Sequence, residues 1–152
     1  MSEKGTKREV LKLPICQLKM QQPISSERFK NWTKPEIKHG ELTKWNWVVY
    51  HPENLTLGNR VDIGIFTYIN AECGVVIKDN VQIGGGVKIY SHSTIDNKKG
   101  NIILEEGCKI GANSVIMPNV VIGENAIVGA LSFVNQSIPA NEVWGGIPAK
   151  KL

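Results

Sequence analysis

Aliphatic residues recur at every sixth position through much of the chain. From Leu104 the series runs Leu104, Ile110, Ile116, Ile122, Val128, Val134. Upstream, Leu57, Ile63 and Ile69 form one run and Ile77, Ile83 and Ile89 another, with the pair Val75–Val76 inserted between them. A small or β-branched residue stands four places after most of these aliphatics, at Val61, Thr67, Cys73, Val81 and Val87, then at Cys108, Ser114, Val120, Ala126 and Ser132. Glycine follows the aliphatic at Gly58, Gly64, Gly84, Gly111, Gly123 and Gly129. Polar pairs such as Asp79–Asn80 and Glu124–Asn125 punctuate the runs.

A period of six fits neither common element. On a helix, six residues turn through about 600°, which leaves them far from one stripe. One long strand fails because glycines and polar pairs interrupt it. The pattern predicts an all-β fold, a parallel β-solenoid in which each hexad is one short side and a tight corner. The aliphatic points inward, the small residue fits near the corner, and glycine relieves crowding or supplies unusual backbone angles. The expected coils are 57–74, 77–94, 104–121 and 122–139. Between the second and third, "IYSHSTIDNKKG" breaks the rhythm with a histidine, hydroxyls, carboxamide or carboxylate groups and two lysines. It predicts a loop extruded at about 96–103.

The ends read differently. Residues 1–50 lack the hexad and carry prolines at 14, 23 and 35, a possible short helix around Ser25–Trp32, and the strand-like "WNWVVY". An open solenoid end exposes core and unpaired backbone, so this segment is expected to be an N-terminal tail and cap, with residues 1–10 mobile. Trp45, Trp47 and Tyr50 are expected in the cap or at an interface. The solenoid domain is then 51–152.

Composition narrows the class. A chain of 152 residues with 41% hydrophobic and 21% charged residues is one ordinary globular domain. There is no apolar run of membrane-span length, and the charged start "MSEKGTKREVLKL" lacks a secretory apolar stretch. A cytoplasmic location is expected. The net charge of +4 is concentrated in residues 1–50, without a dense basic block, so no nucleic-acid partner is expected. Three cysteines show neither CxxC nor metal-type spacing. Cys73 and Cys108 are expected inside the fold as small apolar residues.

These repeats resemble the hexapeptide-repeat acyltransferases, whose fold is a left-handed parallel β-helix with three hexads per turn. The ending "SIPANEVWGGIPAKKL" is similar to that family's recurrent I-P-x-N-x-V-x-x-G-x-P-A-K/R, with Pro139, Asn141, Val143, Gly146, Pro148, Ala149 and Lys150 matching. Within the family the likeness is to galactoside and maltose acetyltransferases and related polysaccharide-biosynthesis sugar acetyltransferases. It runs from about Asn54 to Ile95 and from Leu104 to Lys150, and includes the Val75–Val76 insertion. The resemblance implies a homotrimer with intersubunit active sites, acetyl-CoA as acyl donor, no resident metal, and a sugar or nucleotide-linked amino sugar as acceptor.

Carried over by position, the resemblance puts acetyl-CoA along Ala112, Gly129, Ala130 and Asn135, ending near Lys150. Acetyl transfer needs a base for the acceptor's proton and a donor for the developing oxyanion. Histidine suits the first role. The family histidine aligns with Thr94, and His92 stands two residues earlier on the same corner, so His92 is the candidate catalytic base or else a structural residue. On the acceptor side the galactoside pattern is lost: Gly64 and Phe66 stand where the relatives have sugar-holding asparagines, and Lys109 replaces a tryptophan. Glu72, retained from an acidic pair, and Asp96 are the candidate acceptor-binding residues for a different polar or charged substrate. Two other classes share the fold, γ-type carbonic anhydrases and non-catalytic assembly solenoids. Three histidines, of which only His92 is on the repeat, argue against a metal enzyme. The intact C-terminal motif argues against mere assembly.

Overall fold

Each hexad makes one side of a coil, and three sides return the chain to its starting edge. The computed structural model describes residues 29–152. Contacts divide the chain between Trp32 and Thr33, and Thr33–Leu152 is the solenoid unit. The residues expected to be mobile and the first part of the expected helix lie outside the described residues; Phe29–Asn31 form a turn.

In chain order the strands are β1 (Val48–Tyr50), β2 (Leu55–Leu57), β3 (Asp62–Ile63), β4 (Tyr68–Asn70), β5 (Val75–Ile77), β6 (Gln82–Ile83) and β7 (Lys88–Tyr90). A hairpin follows, β8 (His92–Ser93) and β9 (Lys98–Lys99). The coils then resume with β10 (Ile102–Leu104), β11 (Lys109–Ile110), β12 (Val115–Ile116), β13 (Val121–Ile122), β14 (Ile127–Val128) and β15 (Phe133–Val134), and end with β16 (Val143–Gly146) and β17 (Ala149–Lys151). Three sheets form the sides: sheet 1 in the order β1-β4-β7-β12-β15, sheet 2 as β13-β10-β5-β2, and sheet 3 as β17-β16-β14-β11-β6-β3.

Pairing within the coils is parallel and in register with the hexad. Val49, Ile69, Ile89, Ile116 and Val134 stack along sheet 1. Leu57, Ile77, Leu104 and Ile122 stack along sheet 2. Ile63, Ile83, Ile110 and Val128 stack along sheet 3. These three columns are the buried core. Each such side chain contributes roughly 1.5–3 kcal/mol on full burial. The small corner residues satisfy themselves on backbone: Thr67 Oγ1 donates to the Gly84 carbonyl at 3.1 Å and Ser114 Oγ to that of Gly129 at 3.0 Å.

The corners need a left-handed backbone, and asparagine tolerates it through its short side chain. Asn80, Asn113, Asn119, Asn125 and Asn141 all have positive φ. Hexad glycines answer a different need. A Cβ on Gly111 would lie 2.3 Å from the Ala130 nitrogen of the next coil. Close stacking, not an unusual φ, demands glycine there.

Three expectations shift. The solenoid begins before the first hexad, because β1 pairs with β4 and buries Trp47 and Val49. Trp45 stays exposed, with the Lys44 ammonium 4.2 Å above its ring. The excursion leaves at His92 and has returned by Ile102, earlier than 96–103, because Ile102 and Leu104 both point inward on one strand. Cys73 is only half-buried; around the Val75–Val76 insertion Ala71 and Val75 take the inward places instead. Cys108 is fully buried, and desolvation, with Glu105 nearby, pushes its thiol up to about 12. It is inert packing. Among the described residues no helix is long and apolar enough to cross a membrane.

Candidate functional site

Sheet 1 runs between two corners, and the expected site residues divide between them. At its exit corner, the chain leaves β4 into Ala71–Glu72 and leaves β7 into Ser91–His92. Stacking of these coils puts Glu72 beneath His92, and His92 Nδ1 lies 2.8 Å from Glu72 Oε2. The Glu72 backbone is held from both sides: its N–H donates to Asn70 Oδ1 at 2.9 Å, and its carbonyl accepts from Asn54 Nδ2 at 3.1 Å. The hydrogen bond from His92, with the charges of His92, Lys99 and His51, holds the Glu72 carboxyl below its usual range. An ionised carboxylate only accepts, so His92 Nδ1 carries a proton, and in the neutral ring Nε2 is then the atom with the lone pair. The His92 side chain is 12% exposed, against 39% for Glu72.

The hairpin fixes this corner. His92 pairs with Lys99 and Ser93 with Lys98 in an antiparallel ladder. Its base is closed by the Gly100 N–H, which donates to the Ser91 carbonyl at 3.0 Å. Hydrogen bonds from Ser93 and then Lys98 hold the Asp96 carboxyl down at about 2, and Lys98 Nζ lies 3.0 Å from Asp96 Oδ2. Asp96 is thus committed inside the hairpin. Thr94 and Ile95 sit exposed in the connecting turn.

Beside this corner an aromatic ladder climbs the outer face of sheet 1. Tyr50 and Tyr68 have ring centroids 5.5 Å apart, as do Tyr68 and Tyr90. Sequence reading missed Tyr68 and Tyr90. Their signal was available, since each directly flanks an inward isoleucine and must therefore face outward.

His39 and His51, expected as surface or interface groups, adjoin the first coil. The His51 N–H donates to His39 Nδ1 at 3.1 Å, and His51 Nδ1 lies 3.2 Å from Glu53 Oε1. Ligand atoms of His39, His51 and Glu53 lie within 4.8 Å of one another. Donors around one tetrahedral zinc sit about 3.4 Å apart. With His39 Nδ1 already accepting and Glu53 already bonded, the trio does not fit a metal without repacking.

The other corner of sheet 1 gathers Ala112, Gly129 and Ala130. The Ala112 carbonyl accepts from Leu131 N–H at 2.9 Å, which stacks the two coils. The Gly129 carbonyl accepts from Ser114 Oγ and, at 2.7 Å, from Ser132 Oγ. A Cβ on Gly129 would meet nothing nearer than 3.6 Å. Packing does not require glycine at this hexad. Ile65, Phe66 and Leu131 are exposed here, and Phe66 (69% exposed) and Leu131 (65%) adopt left-handed φ of 62° and 58°. Bulky residues seldom adopt that conformation.

Asn135 follows β15 at the opposite edge of sheet 1 from Ala130. Lys150 is on β17, paired with Gly145 of β16, the strand that caps Gly129. Glu142 stiffens this end, bonding Lys151 Nζ at 2.8 Å and Trp144 Nε1 at 2.7 Å. Lys150 itself is exposed and has no ion pair among the described residues.

The architecture and the repeat have known counterparts. Residues 101–136 match the family described as bacterial transferase hexapeptide (six repeats). Galactoside O-acetyltransferase of Escherichia coli strain K12 is 31% identical over 116 residues, covering 66% of this chain and 57% of that protein. The chain spans about half the length of the first curated relatives it matches. A hexapeptide-repeat acetyltransferase from Vibrio cholerae, solved with acetyl coenzyme A, superposes with a TM-score of 0.65 at 28% identity, covering 70% of this chain and 63% of that one. A variant of AntD, an N-acyltransferase from Bacillus cereus in complex with dTDP-4-amino-4,6-dideoxyglucose and coenzyme A, gives 0.59 at 27% identity, covering 73% and 78%.

Proposed function

We propose that the chain is a hexapeptide-repeat acyltransferase on a left-handed parallel β-helix, transferring an acetyl group from acetyl-CoA to a sugar or nucleotide-linked amino sugar. The observation that carries this reading is the His92–Glu72 hydrogen bond at the corner where the hairpin leaves the solenoid. Glu72 orients the imidazole and selects its tautomer, a role other than the acceptor contact expected from sequence. His92 Nε2 takes the proton from the acceptor hydroxyl or amine as that atom bonds to the thioester carbonyl carbon. The C–S bond then breaks, and the imidazolium returns its proton to the departing sulfur, giving the acetylated acceptor and free CoA thiol.

The donor lies along Ala112, Gly129 and Ala130, where a glycine not required by packing leaves the backbone open to a thin pantetheine arm. Lys150 meets a distant phosphate as a point charge. Asn135 stands across sheet 1 from this corner and contacts the donor from another direction. Asp96 keeps the hairpin rigid, so the acceptor is held by its neighbours.

The separation of the two corners supports a homotrimer. A donor at the Ala130 corner reaches the His92 of an adjacent copy, and exposed Ile65, Phe66 and Leu131 supply apolar surface for that contact. The enzyme is read as cytoplasmic and as serving polysaccharide biosynthesis.

The test is thiol release from acetyl-CoA against a panel of free sugars and nucleotide-linked amino sugars. Acceptor-dependent release that falls with Lys150→Ala through a raised KM for acetyl-CoA, at unchanged kcat, is the expected result. No acceptor-dependent thiol release with any member of the panel, or no binding of acetyl-CoA, sinks the proposal.

A further inference from the structure

The hairpin carries two adjacent lysines that the mechanism above leaves unused. Directly opposed residues in an antiparallel ladder project from the same face. Ser93 and Lys98 share one face, and there Asp96 takes up the Lys98 charge at 3.0 Å. His92 and Lys99 share the other. Lys99 is exposed and has no ion pair among the described residues. Its charge reaches Glu72, the carboxylate bonded to His92, which it helps hold in the ionised form.

One lysine of the pair is therefore spent on holding the loop, while the other is aimed along the side of the candidate base. A free ammonium at this place cannot serve the donor's phosphates. Those lie at the far end of a long pantetheine arm from the reacting thioester.

We propose that Lys99 is an acceptor-specificity residue, receiving anionic oxygens, phosphoryl or carboxylate, on the molecule whose hydroxyl or amine is presented to His92. The inference rests on the acetyltransferase reading and narrows it to an anionic acceptor. A lysine binds such a group as a compact point charge on a flexible stem, which suits either anion. Neutral sugars lack the contact and are poorer acceptors.

Calorimetry at low ionic strength tests this on the full chain. CoA is titrated first, then uridine diphosphate and D-glucuronate are titrated separately into the CoA-saturated protein. The expected result is that one of the two anions binds wild type. Its affinity falls about tenfold or more in Lys99→Gln and is regained in Lys99→Arg, while CoA affinity is unchanged. Binding of uridine diphosphate identifies a phosphoryl group, and binding of glucuronate a carboxylate. Absence of binding by both anions, equal binding by Lys99→Gln, or a parallel loss of CoA affinity overturns the assignment of Lys99. Failure of wild type to bind CoA overturns the acetyltransferase reading with it, so the two failures are distinguished.

Discussion

At the residue scale the proposed chemistry rests on a histidine hydrogen-bonded to a carboxylate one coil below. Glu72 is ionised and can only accept, so it fixes the His92 tautomer without taking its proton. His92→Ala is expected to lower turnover by roughly 10²–10⁴-fold with little change in acetyl-CoA affinity. Glu72→Gln is expected to cost on the order of 10²-fold, below the roughly 10⁴-fold seen when a buried triad aspartate becomes amide. The difference follows from Glu72's exposure, which lets water screen the pair. Steady-state kinetics of both variants decides it: equal, near-normal rates mean the pair is structural. Asp96 makes a separate prediction. Its carboxyl is held at about 2 against an ordinary 3.8, so the interaction is fully present above about pH 4 and is lost as pH falls toward 2. A carboxyl-carbon NMR titration with a midpoint near 3.8 would show that Ser93 and Lys98 do not hold it.

The elements are too short to stand alone; strands of two to four residues persist because each is a rung in a ladder. Their inward side chains share three continuous columns, so an error at one rung is transmitted to its neighbours. Ile116 lies between Ile89 and Val134 and is fully buried. Ile116→Asp is expected to prevent folding, because it buries an unpaired carboxylate in a close-packed column. Circular dichroism showing a normal melt would mean the register is wrong. Among the described strands, those of the hairpin alone lie outside the three sheets. The hairpin is stabilised by its own Asp96–Lys98 and Gly100–Ser91 links, which lets a loop hold chemistry rigidly.

For the whole molecule, the proposed sharing of the site between copies predicts a specific complementation. His92→Ala and Ala130→Trp each disable one half of the site, at opposite corners of sheet 1. If sites form between copies, co-refolding the two inactive variants regenerates about a quarter of the interfaces with both halves intact. Activity regained on mixing, together with a trimer mass by light scattering, is the expected outcome. A concentration-independent monomer, or no recovery in mixed trimers, would place the whole site within one chain.

The three-sided parallel solenoid was legible because a buried column imposes its period directly on the sequence. Six residues return the chain to the same kind of place, and only aliphatics survive there. The hexad glycines were visible for the same reason, whereas His92 as a candidate base and the C-terminal motif were legible only through the family resemblance. The loop's bounds were not, since Ile102 fits either a strand or a linker until its pairing with Val75 is known. Nor was the Glu72–His92 contact, because hydrogen bonding between residues 20 apart depends on how successive coils align. The placing of His92 and Ala130 at opposite corners of sheet 1 was hidden as well. Sequence order places Gly129, Ala130 and Asn135 side by side, whereas a sheet edge separates them. Periodicity is a property of the chain and can be read along it; adjacency across coils belongs to the stack, and only tertiary structure decides it.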